Sequence, residues 1–263
     1  MSKIYEALQM AGRTQDEETR PVEPPIMQAY SAAPEPVSAP SVQKLVEITE
    51  PAPFTLHLEH TMTALYNNIA SLLPSTKGRT VEFISPHRGA GTSTLAREFA
   101  KVAAVKLKKT VLLLDADHHA PTQAREFKIQ QDQGWDSVLD RRERIESVLH
   151  SVPGSRLTVS QLLVTGSSQP LLFESSQFRS MLTRLKETFD LILIDAPPAT
   201  EFTDGLVLGS KVDGVVLVAA AEETRWQAMQ DVSRRFQMLG GNLLGMILNN
   251  QRYHIPQVVY DRI

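Results

Sequence analysis

Three aspartates follow two runs of apolar residues. Asp115 ends Val111-Leu112-Leu113-Leu114, Asp117 lies two residues on, and Asp195 ends Leu191-Ile192-Leu193-Ile194. A carboxylate at the end of a buried strand is costly unless a cation meets it, and Mg²⁺ held partly through water is the usual answer. A third segment supplies the anion side of the same chemistry. Val81-Glu82-Phe83-Ile84-Ser85 runs into Pro86-His87-Arg88-Gly89-Ala90-Gly91-Thr92-Ser93-Thr94, and then into a helical stretch from Leu95 to Lys109. Strand, glycine-bearing loop and hydroxyl-capped helix is the layout of a phosphate-binding loop. Backbone N–H groups and the positive helix end attract phosphate there. Gly89 and Gly91 permit close backbone approach, and Ser93 offers its hydroxyl to Mg²⁺.

The residue between Gly91 and Ser93 is Thr92, where the loop motif has lysine. That lysine supplies a point charge to the β- and γ-phosphates. Losing one preorganised transition-state donor costs about 100–1000-fold in rate. Binding through the backbone and Mg²⁺ is therefore expected to survive better than phosphoryl transfer. His87 and Arg88 are the two loop residues that offer a substitute cation.

The elements that must hold these residues form a regular series. A helix is expected over Leu56–Leu73, and short runs at Val81–Ser85, Val111–Asp115, Leu157–Ser160, Leu191–Asp195, Val215–Ala219 and Leu244–Leu248 read as strands. The runs are continuously apolar, as in strands buried on both faces of a parallel sheet. Alternation with helical stretches predicts a doubly wound, mostly parallel α/β fold over 55–263. Ahead of it, residues 1–12 read as a short amphipathic docking helix with Ile4, Leu8 and Ala11 on one face. Residues 13–54 carry Pro21, Pro24, Pro25, Pro34, Pro36, Pro40, Pro51 and Pro53, and read as a disordered Pro-rich linker.

The composition narrows the function classes. The formal charge of −3 gives no bulk attraction to nucleic acid. The absence of cysteine excludes thiol catalysis and cysteine-ligated clusters. With no signal-peptide core and no apolar run near the ~20 residues of a membrane helix, the expectation is a cytoplasmic protein without direct membrane insertion. The dihistidine His118-His119 reads as solvated, because adjacent loop residues rarely ligate one ion. Lys106, Lys108 and Lys109 read as a solvated helix C-terminus.

Together these motifs resemble the cytoplasmic kinase domain of the bacterial tyrosine kinases (BY-kinases of the CpsD, CapB and Wzc type), within the deviant P-loop NTPases that include MinD and ParA. The resemblance covers about residues 55 to 250. The family pattern S-x-x-P-G-E-G-K-S-T matches Ser85–Thr94, with Arg88, Ala90 and Thr92 departing from it. L-x-D-x-D-x-R-x-P matches Leu113–Pro121 with His119 in place of Arg, and Y-D-x-x-x-x-D-x-P-P matches Phe189–Pro198. The stretch Gly134–Leu139, Asp204, and the runs VDGVVLVA and LLGMILNN match further family segments.

The resemblance implies ATP or ADP with Mg²⁺ as cofactors. Ser93, Asp115 and Asp195 would hold the metal, Asp117 would be the candidate base with Asp115 beside it, and Asn249 would lie near the adenine. Arg88 through Thr94 would form the phosphate cradle. The family's oligomerisation charges are replaced here by His60, Thr63 and Tyr66, and its C-terminal tyrosine cluster is reduced to Tyr253 and Tyr260.

The implied function is a regulatory, pseudokinase-like nucleotide-binding component of exopolysaccharide or capsule biosynthesis and export. Its implied partner is a membrane-bound chain-length protein of Wzz type, which would bring it to the inner membrane peripherally, and self-association is a further expectation. Two alternatives stand beside it: an active tyrosine autokinase of the same system, and a ParA- or MinD-like positioning ATPase.

Overall fold

The computed structural model describes residues 56, 58–74, 77–130, 132–141, 144–163 and 169–251. The expected docking helix, the linker, Tyr253 and Tyr260 lie outside the described residues.

The chain folds as a seven-stranded sheet with helices on both faces. In chain order its strands are β1 (Arg79–Ile84), β2 (Val111–Asp115), β3 (His150–Ser151), β4 (Leu157–Gln161), β5 (Leu191–Asp195), β6 (Gly214–Ala220) and β7 (Leu243–Asn249). The spatial order is β3-β4-β2-β5-β1-β6-β7. All neighbours are parallel except β3 and β4, which run antiparallel at one edge. The six expected strands are present, with ends moved by two residues or fewer. The two-residue β3 has no apolar run to announce it.

The helices are α1 (Glu59–Leu72), α2 (Thr92–Val105), α3 (Gln123–Glu126), α4 (Asp136–Arg141), α5 (Gln169–Glu174), α6 (Ser176–Thr188), α7 (Asp204–Gly209) and α8 (Trp226–Met238). Side chains alternate across each strand, so the central strands feed two cores. Val81, Phe83, Leu113, Leu193 and Val218 meet α1 and α2 on one face. On the opposite face Leu112, Leu114 and Ile192 meet Phe178 and Leu182 of α6, while Ile84, Val215 and Leu217 meet α7 and α8. This two-sided burial explains why β1, β2, β5 and β6 lack polar alternation.

Two expectations are corrected here. The Leu244–Leu248 run is not buried on both faces: Met246 is 46% and Leu248 58% exposed. The cause is its place at the sheet edge, where β7 pairs with β6 alone. Lys106 is not simply solvated, because its ammonium pairs with Glu59 at 3.0 Å and ties α2 to α1. Tyr66 packs near Phe99 of α2, ring centroids 6.3 Å apart, and so helps seat α1 on the domain. Among the described residues, no helix is long and apolar enough to cross a membrane.

Candidate nucleotide and metal site

The loop between β1 and α2 works because two glycines take up backbone that side chains resist. Gly89 has φ +87° and Gly91 φ +82°. A Cβ on Gly91 would also run into the Asn249 side-chain amide. Gly91 is the N-cap of α2, and the first helical bond runs from Leu95 N–H to Gly91 O at 2.9 Å. The N–H groups of Thr92, Ser93 and Thr94 therefore have no acceptor within the helix, which is the condition for anion binding at a helix start. These residues line a cavity of about 250 Å³ with Arg88, Gly89, Ala90, Gly91 and Asp117. Its size suits a phosphate chain and is below the range of whole drug-sized ligands.

Below the loop, Asp115 and Asp195 are Cα partners at the ends of adjacent strands β2 and β5. Both are buried. Burial, above all, pushes both carboxyls above their usual range, and neighbouring carboxylates add to the push. For Asp115 the push is opposed by three backbone donors. Asp117 N–H reaches Oδ1 at 3.1 Å, and the N–H groups of Thr122 and Gln123 reach Oδ2 at 2.9 and 3.0 Å. Asp195 Oδ2 accepts a bond from Gln123 Nε2 at 2.7 Å, and the Ser93 hydroxyl also favours its charged form. Asp195 Oδ1 is buried with no hydrogen-bond partner. An orphaned carboxylate oxygen beside a second carboxylate and a serine is the hard, all-oxygen donor set that Mg²⁺ takes. Ser93, Asp115 and Asp195 thus fit the metal expected from the motifs.

Asp117 sits above this pair at the cavity wall. Its Oδ1 accepts the N–H groups of His119 and Ala120 at 3.1 and 3.2 Å, which closes a tight turn. Its Oδ2 accepts Arg88 Nη1 at 3.1 Å. Arg88 also reaches Glu201 Oε2 at 3.2 Å and lies over the Phe202 ring, 5.6 Å from its centroid. Of the two substitute cations, then, Arg88 faces the cavity. His87 does not line it, and its Nδ1 lies 2.9 Å from Thr200 Oγ1. Thr92 is buried and its hydroxyl has no partner.

Asn249 does not line the cavity either. Its Nδ2 donates to the Ala90 carbonyl at 2.9 Å, bracing the loop from β7. The expectation of a solvated dihistidine is overturned for His118, whose side chain is 10% exposed. His118 packs against His119 with ring centroids 3.8 Å apart and the planes tilted by 42°, and His119 lies flat on Phe202 at 3.5 Å.

Gln123 is a site residue that the motifs do not reveal. It is fully buried and joins both carboxylates, while its Nε2 also reaches the Ser93 carbonyl at 3.0 Å. Arg97 Nη1 holds the Gln123 oxygen at 3.3 Å. Its only signal in the sequence is a polar Thr122-Gln123 pair after Pro121, which a helix cap explains equally well. Trp135, inside the matched stretch Gly134–Leu139, is a second support whose role the motif does not reveal: its indole N–H donates to the Asp115 carbonyl at 3.3 Å.

Comparison with known proteins gives this geometry a family. The family model described as ParA, NUBPL iron-transfer P-loop NTPase, matches residues 78–260. Iron–sulfur chemistry does not follow for this chain, which has no cysteine to supply thiolate ligands. The chain is 25% identical over 178 residues to tyrosine-protein kinase ptk of Acinetobacter johnsonii, covering 68% of itself and 24% of that protein. It is 28% identical over 213 residues to tyrosine-protein kinase YwqD of Bacillus subtilis (strain 168), covering 80% of itself and 87% of that protein. The chain thus spans about a quarter of the first relative and most of the second. The crystal structure of the VpsO kinase domain superposes with a TM-score of 0.64 at 26% identity, over 74% of this chain and 96% of that one. The chain belongs to the ParA family of P-loop NTPases, a nucleotide-binding family, and is similar to bacterial tyrosine-protein kinases.

Proposed function

We propose that the chain is a regulatory, nucleotide-binding member of an exopolysaccharide or capsule export system, with weak or absent phosphoryl transfer. One observation carries this reading. The metal carboxylates and loop backbone are assembled, yet position 92 holds a buried threonine where the loop motif has a lysine. Mg²⁺, held by Ser93, Asp115 and Asp195, would supply positive charge to offset that of the phosphates. The chain's own part is to hold phosphates on the N–H groups of Gly89 to Thr94 and to keep Asp117 at the cavity wall. Asp117 accepts a bond from Arg88, so its lone pairs are partly committed, which weakens it as a base toward a tyrosine hydroxyl.

ATP or ADP with Mg²⁺ are the proposed ligands, and a membrane-bound chain-length protein is the proposed partner. The site of action would be the cytoplasmic face of the membrane that holds this partner, without insertion by the described residues. The proposed partner-binding element is the segment 1–12, tethered by 13–54.

One observation favours an active autokinase instead. Arg88 places a guanidinium at the same cavity, where it offers charge to a phosphate. Incubating the purified full chain with Mg²⁺-ATP and probing for phosphotyrosine separates the readings. The regulatory reading expects ATP binding by calorimetry with little or no phosphotyrosine. A strong signal that disappears in Asp117→Asn would establish the autokinase.

A further inference from the structure

Outside the phosphate cavity, three metal-ligating side chains converge that the proposed function does not use. His118, His119 and Asp204 each offer a ligand atom, and these atoms all lie within 4.8 Å of one another. None of the three lines the phosphate cavity. His118 Nδ1 is fully buried, has no hydrogen-bond partner, and lies 3.9 Å from Asp204 Oδ2. That separation is too long for a hydrogen bond, so a nitrogen that is costly to desolvate is left facing a carboxylate.

A simple salt bridge explains this poorly. Burial lowers the His118 pKa and raises that of Asp204, so both groups move toward their neutral forms and away from an ion pair. A neutral imidazole has a free lone pair, which is the form that binds a metal.

Adjacent residues in a turn ordinarily diverge, and the local structure overrides that tendency here. The Asp117 carboxylate accepts the His119 and Ala120 N–H groups and tightens the turn. The Phe202 ring lies within 14° of parallel to His119, with centroids 3.5 Å apart, and supports that imidazole. Phe202 lies just ahead of α7 and Asp204 is its first residue, so one short segment supports one ligand and supplies another.

We propose that His118, His119 and Asp204 form a site for a divalent transition-metal ion of the zinc class, distinct from the Mg²⁺ position at Asp115 and Asp195. Two imidazoles and one carboxylate suit zinc, cobalt or nickel and are a poor set for Mg²⁺, which takes oxygen. Three protein ligands leave the fourth tetrahedral position open to water or another group. With metal–ligand bonds of about 2.0–2.2 Å, tetrahedral ligand atoms sit roughly 3.4 Å apart. The cluster therefore needs to close by somewhat over about 1 Å, and the exposed His119 ring has the freedom to do so.

The test uses the full chain without a polyhistidine tag, stripped of metal and titrated with Co²⁺ and then Zn²⁺. The expected result is one Co²⁺ per chain with a visible ligand-field band, displaced by Zn²⁺ and unaffected by excess Mg²⁺. His119→Gln and Asp204→Asn should each weaken binding by at least about tenfold. His119 is exposed, so its substitution tests ligation with little risk to folding, and circular dichroism checks both variants. Asp195→Asn should leave the Co²⁺ band in place. No stoichiometric band overturns the proposal. So does a band that survives both His119→Gln and Asp204→Asn, or one that Asp195→Asn removes.

Discussion

Arg88 Nη1 lies 3.1 Å from Asp117 Oδ2, so the cation nearest the phosphate loop is bonded to the residue expected to act as base. Among the described residues that line the cavity, Arg88 is the only Lys or Arg. Bound phosphates and Asp117 would therefore compete for one guanidinium. A charge-assisted hydrogen bond contributes about 1.5–3 kcal/mol, so Arg88→Ala should weaken Mg²⁺-ATP binding about 10–100-fold by calorimetry. Arg88→Lys should recover only part, because an ammonium lacks the planar fork. Glu201→Gln releases the exposed second partner and should tighten binding by no more than about fivefold. Unchanged affinity in Arg88→Ala would mean that the guanidinium never reaches the nucleotide.

Restoring the missing charge is a second test. Thr92 begins α2 beside Ser93, and its buried hydroxyl bonds to nothing. Thr92→Lys loses no hydrogen bond and puts an ammonium where the loop motif has one. Single-turnover ATP hydrolysis should rise by about 100–1000-fold if that charge limits transfer. A variant that folds and binds Mg²⁺-ATP but hydrolyses it no faster would locate the deficit elsewhere, with Asp117 the first candidate.

The register that sets Asp115 against Asp195 makes a third prediction. Both carboxyls are raised by burial and by neighbouring carboxylates, so near neutral pH the metal-free pair retains proton that Mg²⁺ must displace. Calorimetry of Mg²⁺-ATP binding in buffers of different ionisation enthalpy should detect net proton release. The release should fall in Asp195→Asn, and Mg²⁺-dependent affinity should weaken as pH drops. Binding enthalpy independent of the buffer would contradict a proton held at the pair.

Much of this site is legible in residue type and spacing alone. Apolar runs ending in aspartate locate β2 and β5, and glycines beside hydroxyl residues locate the loop, because backbone demands there leave marks in residue type. The depth of Asp115 and Asp195 follows from the same runs. What escapes is contact across the fold. Gln123 lies 72 residues from Asp195 and carries no mark of its role. The clasp of Arg88 by Glu201 spans 113 residues. His118 misleads because its adjacency to His119 and its polar character suggest solvent, whereas Phe202 and α7 cover the turn. The run at Leu244–Leu248 misleads for a related reason: apolar character does not reveal that a strand stands at the edge.

Gln123 itself carries a fourth prediction. Its amide is the side-chain N–H donor to Asp195, and it holds the Ser93 carbonyl as well. Gln123→Ala leaves a buried carboxylate short of a donor, at a cost of about 1–3 kcal/mol in urea unfolding. The cost should shrink in an Asp195→Asn background, since the two residues interact directly. Equal losses in both backgrounds would show that Gln123 acts through Ser93 or Arg97 instead.

The fifth prediction concerns Glu82, in the middle of β1. Its side chain is fully buried, neither carboxyl oxygen has a hydrogen-bond partner, and Gly209 packs directly against it. Burial pushes its pKa well above the ordinary carboxylate value. The folded state therefore favours the protonated form. Protonated in both states, Glu82 carries no ionisation penalty at low pH. As pH rises past the unfolded pKa, the unfolded chain gives up this proton first, and stability declines until the folded pKa is passed. Asp115 and Asp195 are raised too and act with the same sign, so the wild-type profile alone cannot isolate Glu82. Comparison with Glu82→Met can. Methionine matches the shape without charge or unsatisfied oxygens, so the variant should be more stable at neutral pH by about 1–3 kcal/mol. The gain should widen as pH rises above the ordinary carboxylate range in urea unfolding. A gain that stays flat with pH would mean that Glu82 does not titrate between the folded and unfolded chains.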